Sequence, residues 1–239
     1  MRTPPDIKNL LVIDVETAAA APNYEDLPDR FKPLWDRKAK RFDPESTPAE
    51  VFLEKAALMA EFGRIISIGV GYFHLNEEEE TCLRVKAFAG EDERQILEEF
   101  KALVEEKFDQ KKLTFVAHNG KEFDYPFLCR RMLVHGISLP VVLDFYNKKP
   151  WEIPHEDTMQ MWRFGELRNY TSLELLAALF DIPSSKTDLD GSMVSQVFHG
   201  EGDLERIKTY CQNDVIVTAR IYLRLQVLQD VKPENIFKV

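Results

Sequence analysis

Leu10-Leu11-Val12-Ile13 is a continuous apolar run, β-branched at its end, that leads straight into Asp14-Val15-Glu16-Thr17. A run of this kind reads as a strand buried on both faces. A carboxylate at position 14 is therefore an acid placed where burial penalises charge. Side chains alternate along a strand, so Asp14 and Glu16 project from one face, about 7 Å apart along it. Two such acids raise each other's pKa unless a cation sits between them. No lysine or arginine occurs between Lys8 and Arg30, which makes a divalent metal the natural counter-charge. Ligands that are all oxygen select Mg²⁺, Mn²⁺ or Ca²⁺ over zinc.

The rest of the chain supplies the sheet around that strand. Arg64–Leu75 and Thr81–Ala89 read as a hairpin joined at Asn76–Glu80. Glu91–Phe108 has the amphipathic stripe Ile96, Leu97, Phe100, Leu103, Val104. Leu113–Ala117 is a short buried strand, followed by the turn His118-Asn119-Gly120 and a helix from Asp124 to Val134 that closes at His135-Gly136. Three helical segments end the chain: Ser172–Phe180 with Thr171 as N-cap, Ser192–Phe198, and Asp203 to about Gln229. This order predicts an α/β chain with a mixed sheet, antiparallel early and parallel afterwards, flanked by α-helices. Between about 18 and 62 the strand pattern dissolves into a charged segment with Pro22, Pro28, Pro33, Pro44 and Pro48 and a helix at Glu50–Glu61. It reads either as a functional insertion or as a surface elaboration that merely packs. There is no internal repeat and no Gly/Ser-rich linker, so one domain over 1–239 is expected.

Charge and composition narrow the function classes. With 31 Lys+Arg against 41 Asp+Glu the net charge is −10, which argues against a broad basic surface and confines any nucleic-acid contact to local groups. No apolar stretch approaches the ~18–20 residues of a membrane span, and the N-terminal apolar run is too short for a secretory core. Cys82, Cys129 and Cys211 have no CxxC spacing, so neither a disulfide framework nor a zinc knuckle is expected. A cytoplasmic chain is the resulting expectation. The chain carries no GxSxG elbow, P-loop or HExxH.

Two further acids stand at element ends. Asp124 follows His118-Asn119-Gly120-Lys121-Glu122-Phe123 where a helix begins, and alone it reads equally well as an N-cap ahead of Tyr125-Pro126. Tyr210 and Asp214 are four apart on the last helix and share a face; alone they would be an exposed acid beside a core tyrosine.

Taken in order, Asp14/Glu16, Asn119…Phe123-Asp124 and Tyr210…Asp214 resemble the three signatures of the DnaQ-like 3′–5′ exonucleases, in their tyrosine subgroup (DEDDy). The residues around them, including Asp190-Gly191-Ser192 and Tyr210-Cys211-Gln212-Asn213-Asp214-Val215, look like stand-alone exonucleases akin to the proofreading domain of family-B DNA polymerases. The resemblance spans about residues 9–226 and leaves the 18–62 segment unmatched. It implies a ribonuclease-H-like fold and phosphodiester hydrolysis with two Mg²⁺ or Mn²⁺ ions, whose charge would neutralise four carboxylates. On that reading Asp14, Glu16 and Asp214 hold one metal, Asp14 is shared with the second, and Asp124 acts on the second through water. Tyr210 orients the attacking water, since a phenol with a pKa near ~10 is a poor base at neutral pH. The implied substrate is a single-stranded 3′ end, DNA ahead of RNA, with any polymerase or repair partner acting in trans. An exoribonuclease, a non-catalytic nucleic-acid-binding module and an interaction protein using the 18–62 segment are the rivals. Thr17 (through its N–H), Asn119 and Phe123 are candidate substrate contacts, against local roles as strand end, Asx turn and core. Phe127 and Trp162 stack on bases or fill the core. Asp157 is read as a hydrogen-bonding acid away from the metals, and Lys186 with Gly191-Ser192 as a phosphate contact or an N-cap.

Overall fold

In a computed structural model, which describes residues 6–166, 169–184 and 188–239, the apolar run opens the central strand β1 (Leu10–Ala19). Its odd positions Leu11, Ile13 and Val15 enter one core and its even positions Leu10 and Val12 another, the two-faced burial that such a run requires. The sheet has six strands in the order β5-β4-β1-β2-β3-β6: β2 Gly63–Leu75, β3 Thr81–Ala89, β4 Thr114–Ala117, β5 Glu156–Asp157 and β6 Ile236–Lys238. β1, β2 and β3 are antiparallel neighbours, while β4 and β5 continue parallel to β1 and β6 runs parallel to β3. This is the expected ribonuclease-H-like mixed sheet. Helices α3 (Glu93–Lys107) and α4 (Asp124–Val134) cover the odd face, and α8 (Leu204–Leu225) covers the even one.

The proline-rich segment is more ordered than its sequence suggests. β1 continues through Ala18 and Ala19, and α1 (Lys32–Phe42) and α2 (Pro48–Lys55) follow. Pro33 and Pro48 sit in first helical turns, where the missing N–H costs nothing. Trp35 packs edge-on against Phe52 and Phe62 and donates from Nε1 to Pro48 O at 2.7 Å. This small core includes Ala19 and Ala21, so it braces the far end of β1. The helix read at Glu50–Glu61 gives way to a 3₁₀ turn at Ala56–Leu58.

Helices α5 (Thr158–Arg163), α6 (Leu173–Leu179) and α7 (Val194–Gln196) complete the chain. Ser172, not Thr171, caps α6, its hydroxyl accepting from Leu175 N. No helix among the described residues is long and apolar enough to cross a membrane.

A buried acid ties the second layer together. Glu93 accepts from Ile65 N (2.7 Å), from Arg131 Nε (2.8 Å) and Nη2 (2.6 Å), and pairs with His135 Nε2 (2.7 Å). Burial alone would raise its pKa, but the bonds from Arg131, Ile65 and His135 more than offset that and hold it below the usual value. A depressed carboxylate pKa contributes stability above the unfolded value of ~4.3 and loses it as pH falls through the folded value. Glu93→Gln is expected to cost about 3 kcal/mol at pH 7, because Arg131 loses its counter-charge in a buried setting. Thermal melts of the two proteins should converge on acidification below about pH 4.

Candidate active site

The even face of β1 carries Leu10, Val12, Asp14 and Glu16, and what lies over it is α8. Helix and sheet approach unusually closely because β2 presents glycines there. Gly69 is the cross-strand partner of Asp14, and a Cβ on it would lie 2.7 Å from Val215 Cγ2 and 2.8 Å from Cys211 Sγ. A Cβ on Gly71 would lie 2.6 Å from Val215 Cγ1. This bare stripe lets the last helix settle onto the backbone, and Cys211 Sγ donates to Asp14 O at 3.6 Å. Ligating atoms of Asp14, Glu16 and Cys211 all lie within 4.8 Å of one another. Burial, then the Asp14 and Glu16 carboxylates, push the Cys211 thiol well up, so it stays protonated beside the acids.

Tyr210 and Asp214 leave the same face of α8, and the phenol hydrogen-bonds the Asp214 carboxylate. Asp124 arrives from the first residue of α4, beyond the end of β4. Glu16, Asp124, Tyr210 and Asp214 are each less than 9% exposed. Asp214 and Asp124 lie near enough to act on Asp14 and Glu16, although among the described residues Asp14 and Glu16 share the 4.8 Å ligand group with Cys211 and not with those two acids. Burial, then Glu16, Asp214 and Asp124 in turn, hold Asp14 well above the carboxylate range. Burial and Asp214 do the same to Glu16, which shares a hydrogen bond with Asp14. Asp124 is pushed up to about 7 by burial, with Asp157 and Asp214 adding to it against its own N–H and that of Val15. Among the described residues, the charged side chains with the largest effects on these three acids are carboxylates. The Tyr210 phenol is driven up by burial and by Asp214, Glu16 and Asp14. Asp14 Oδ2 is buried and has no hydrogen-bond partner.

The candidate substrate contacts fall out unevenly. Thr17 does not end its strand; a bulge separates it from Glu16, and its hydroxyl donates to Ala57 O at 2.7 Å. Asn119 has a left-handed backbone (φ 62°) and donates its N–H to Asp157 Oδ1 at 3.1 Å. Its own Oδ1 is buried without a partner, so it forms no Asx turn. Phe123 is half-buried beside Phe127, ring centres 5.4 Å apart. Phe127 is buried in the core and cannot stack on a base, and Trp162 packs edge-on against Phe180. Asp157 caps α5, accepting from Met159 and Gln160 N–H, and also holds Lys121 N–H at 3.1 Å, the hydrogen-bonding role read for it. It nevertheless lies near enough to Asp124 to raise that acid's pKa, and so is not remote from it. Gly191-Ser192 leads into a helical stretch, α7 continued by a π-helical turn at Val197–Glu201, but Ser192 turns back onto Asp190 and supplies no side-chain cap. Lys186 lies outside the described residues. Four contributors escape the sequence reading. Gly69 and Cys211 set the depth of α8, while Ser195 and His199 pin Ala19, Oγ accepting from its N–H at 3.1 Å and Nε2 lying 2.9 Å from its carbonyl. The alternation Gly69-x-Gly71 inside a strand was the available signal for the first.

Fold and site together define a mixed-sheet α/β protein with a buried acidic cluster on one face of its central strand. The family described as "predicted 3′–5′ exonuclease related to the exonuclease domain of PolB" matches residues 56–237, and the chain belongs to it. The matched span carries Asp124, Tyr210 and Asp214 and begins after Asp14 and Glu16. Among solved structures, the family B DNA polymerase of the hyperthermophilic archaeon Pyrobaculum calidifontis superposes with a TM-score of 0.51 at 15% identity, over 91% of this chain and 24% of the polymerase. The chain thus spans about a quarter of that polymerase's length, and the likeness is one of fold. No curated protein matches the chain at a significant level.

Proposed function

We propose that the chain is a metal-dependent 3′–5′ exonuclease acting on single-stranded DNA ends. What supports this reading is that Asp14 and Glu16 lie together on one face of β1, where burial raises both pKa values, with Asp214 and Asp124 near enough to raise them further. Such a cluster is unfavourable unless something doubly charged belongs there. The donor set is hard oxygen, Asp14 Oδ2 is orphaned and buried, and both facts fit Mg²⁺ or Mn²⁺. Asp14, Glu16 and Asp214 would hold one ion, with Asp14 shared and Asp124 facing a second. Bound there, the pair would lower the pKa of water and neutralise charge at the attacking and leaving oxygens.

The chain's own groups have separable tasks. Tyr210 keeps its proton throughout the physiological range, because burial and three acids oppose the phenolate. It therefore acts as a hydrogen-bond donor and orienter rather than a base. Asn119, whose buried Oδ1 has no partner, and the half-buried Phe123 would serve the terminal sugar and base. Polymerase or repair factors would work with the enzyme in trans.

The test is cleavage of 5′-labelled single-stranded DNA and RNA of matched sequence with and without Mn²⁺. The expected result is a ladder shortened from the 3′ end, dependent on metal and faster on DNA. Tyr210→Phe should keep the metal-induced rise in melting temperature and lose about tenfold to a thousandfold in kcat. Metal-independent cleavage, or none on either polymer, would overturn the proposal; faster RNA cleavage would transfer it to exoribonuclease.

A further inference from the structure

Beside the acidic cluster, on the outer flank of α4, lies a groove of about 380 Å³ lined by Lys121, Tyr125, Arg130, Leu133, Phe145 and Tyr146 among others. That volume is in the range of small-molecule sites. No acidic side chain lines it, which stands out in a chain of net charge −10. Lys148 and Lys149 border it, poised over the rings of Phe145 (6.0 Å) and Trp151 (5.4 Å). Lys121 and Lys148 both act on the buried His155, so the loop cation and the motif cation face the same region. Among the described residues, Lys121, Arg130, Lys148 and Lys149 enter no ion pair. The neighbouring acids Asp144 and Glu152 are turned to backbone, accepting from Tyr146 N (3.4 Å) and Lys149 N (2.8 Å). Tyr146 and Trp151 are 68% and 76% exposed.

An exposed ring, Tyr146, set among cations that enter no ion pair is what a single strand needs, a base stacking while phosphates meet lysine and arginine. The groove also begins beside the acids: Lys121 is three residues before Asp124, and Tyr125 follows it. From Asp124 to Leu133 it tracks α4 for about 13 Å, the reach of about two nucleotides. We infer that this groove binds the part of the single strand that trails away from the scissile end, one base against Tyr146 and the backbone against Lys121, Arg130, Lys148 and Lys149. It rests on the exonuclease reading for the direction of the strand, while strand binding itself can be tested separately.

Two variants of the full chain test it: Lys148→Glu/Lys149→Glu, and Tyr146→Ala, each first matched to wild type in melting temperature. Binding of fluorescein-labelled dodecathymidylate is followed by anisotropy in EDTA across a salt series, and hydrolysis of a dinucleotide and a dodecanucleotide is followed in Mn²⁺. Both variants should bind the dodecamer at least about tenfold more weakly, the scale of one lost base stack. The double variant alone should flatten the logarithmic salt slope by about 1.4, as two lost phosphate contacts on a single strand require. Hydrolysis of the dinucleotide, too short to reach the groove, should be unchanged. Wild-type affinity and slope in both variants would overturn the inference, as would an equal loss on dinucleotide and dodecamer. If no substrate is cleaved, the exonuclease reading falls while the anisotropy still decides the groove.

Discussion

Asp14→Asn should lose more than about a hundredfold in turnover, beyond the scale on which even outer partners of a metal site act, yet melt at least as high as wild type in metal-free buffer. The second half follows from the first acid's surroundings. Burial and three neighbouring carboxylates hold Asp14 well above its unfolded pKa of ~3.9. Between those two values the folded chain binds more protons than the unfolded one, so metal-free stability falls as pH rises through the window. Asp124, pushed up to about 7, extends the same trend from roughly pH 4 to pH 7. Asparagine removes the charge and can still donate to Glu16, which already shares a hydrogen bond with position 14. Added Mg²⁺ or Mn²⁺ should reverse the order, because ions that bind only the folded, ionised cluster raise the wild-type midpoint by mass action. The variant should respond little. Calorimetric scans at about pH 5 and pH 7.5, with and without metal, check both halves. A metal shift equal in the two proteins would count decisively against the cluster as a metal cradle.

Of that proposed cluster only Asp14 and Glu16 break a pattern, as acids in an apolar strand. Asp124 and Asp214 alone read as a helix N-cap and an exposed acid. Only the order of the three motifs, resembling that of the DEDDy exonucleases, joined them to the pair. The strand and helix bounds were legible from the apolar pattern, and α4 begins at Asp124 and ends at Val134 as read. Where the pattern is thin, reading failed. In α1 only Trp35 and Ala39 are buried, so there is no stripe to see, and Pro33, one of five prolines in the segment, is a first-turn residue. β5 and β6, two and three residues long, are shorter than any periodicity, and they exist only because a sheet edge is there to receive them. Thr171 and Ser172 are adjacent hydroxyls, and only the backbone decides which one caps. Phe127 sits in the same helix as Asp124, but its depth depends on α3 and β1 arriving on its side, which no local signal encodes. The same holds for the groove beside α4, whose walls come from segments far apart in the chain.

The glycine stripe yields the other large effect. Gly69→Ala adds one methyl group that would sit 2.7 Å from Val215 Cγ2, 2.8 Å from Cys211 Sγ and 3.2 Å from the Cys211 carbonyl. Side chains alone cannot make that room, since the third atom is backbone; α8 must lift. Overpacking of this kind costs about 1–3 kcal/mol. Asp214 is three residues beyond Cys211 on the lifted helix, so the variant should lose turnover, and its metal-induced rise in melting temperature, out of proportion to the stability lost. Gly191→Ala, with open space around the new methyl, should do neither. Val215→Ala removes one of the clashing groups, so combining it with Gly69→Ala should recover part of the stability, a coupling that a double-mutant cycle reads directly. If Gly69→Ala kept wild-type turnover and metal response, the acids of β1 and α8 would not depend on close approach of helix and sheet, and the cluster would owe its geometry to some other contact.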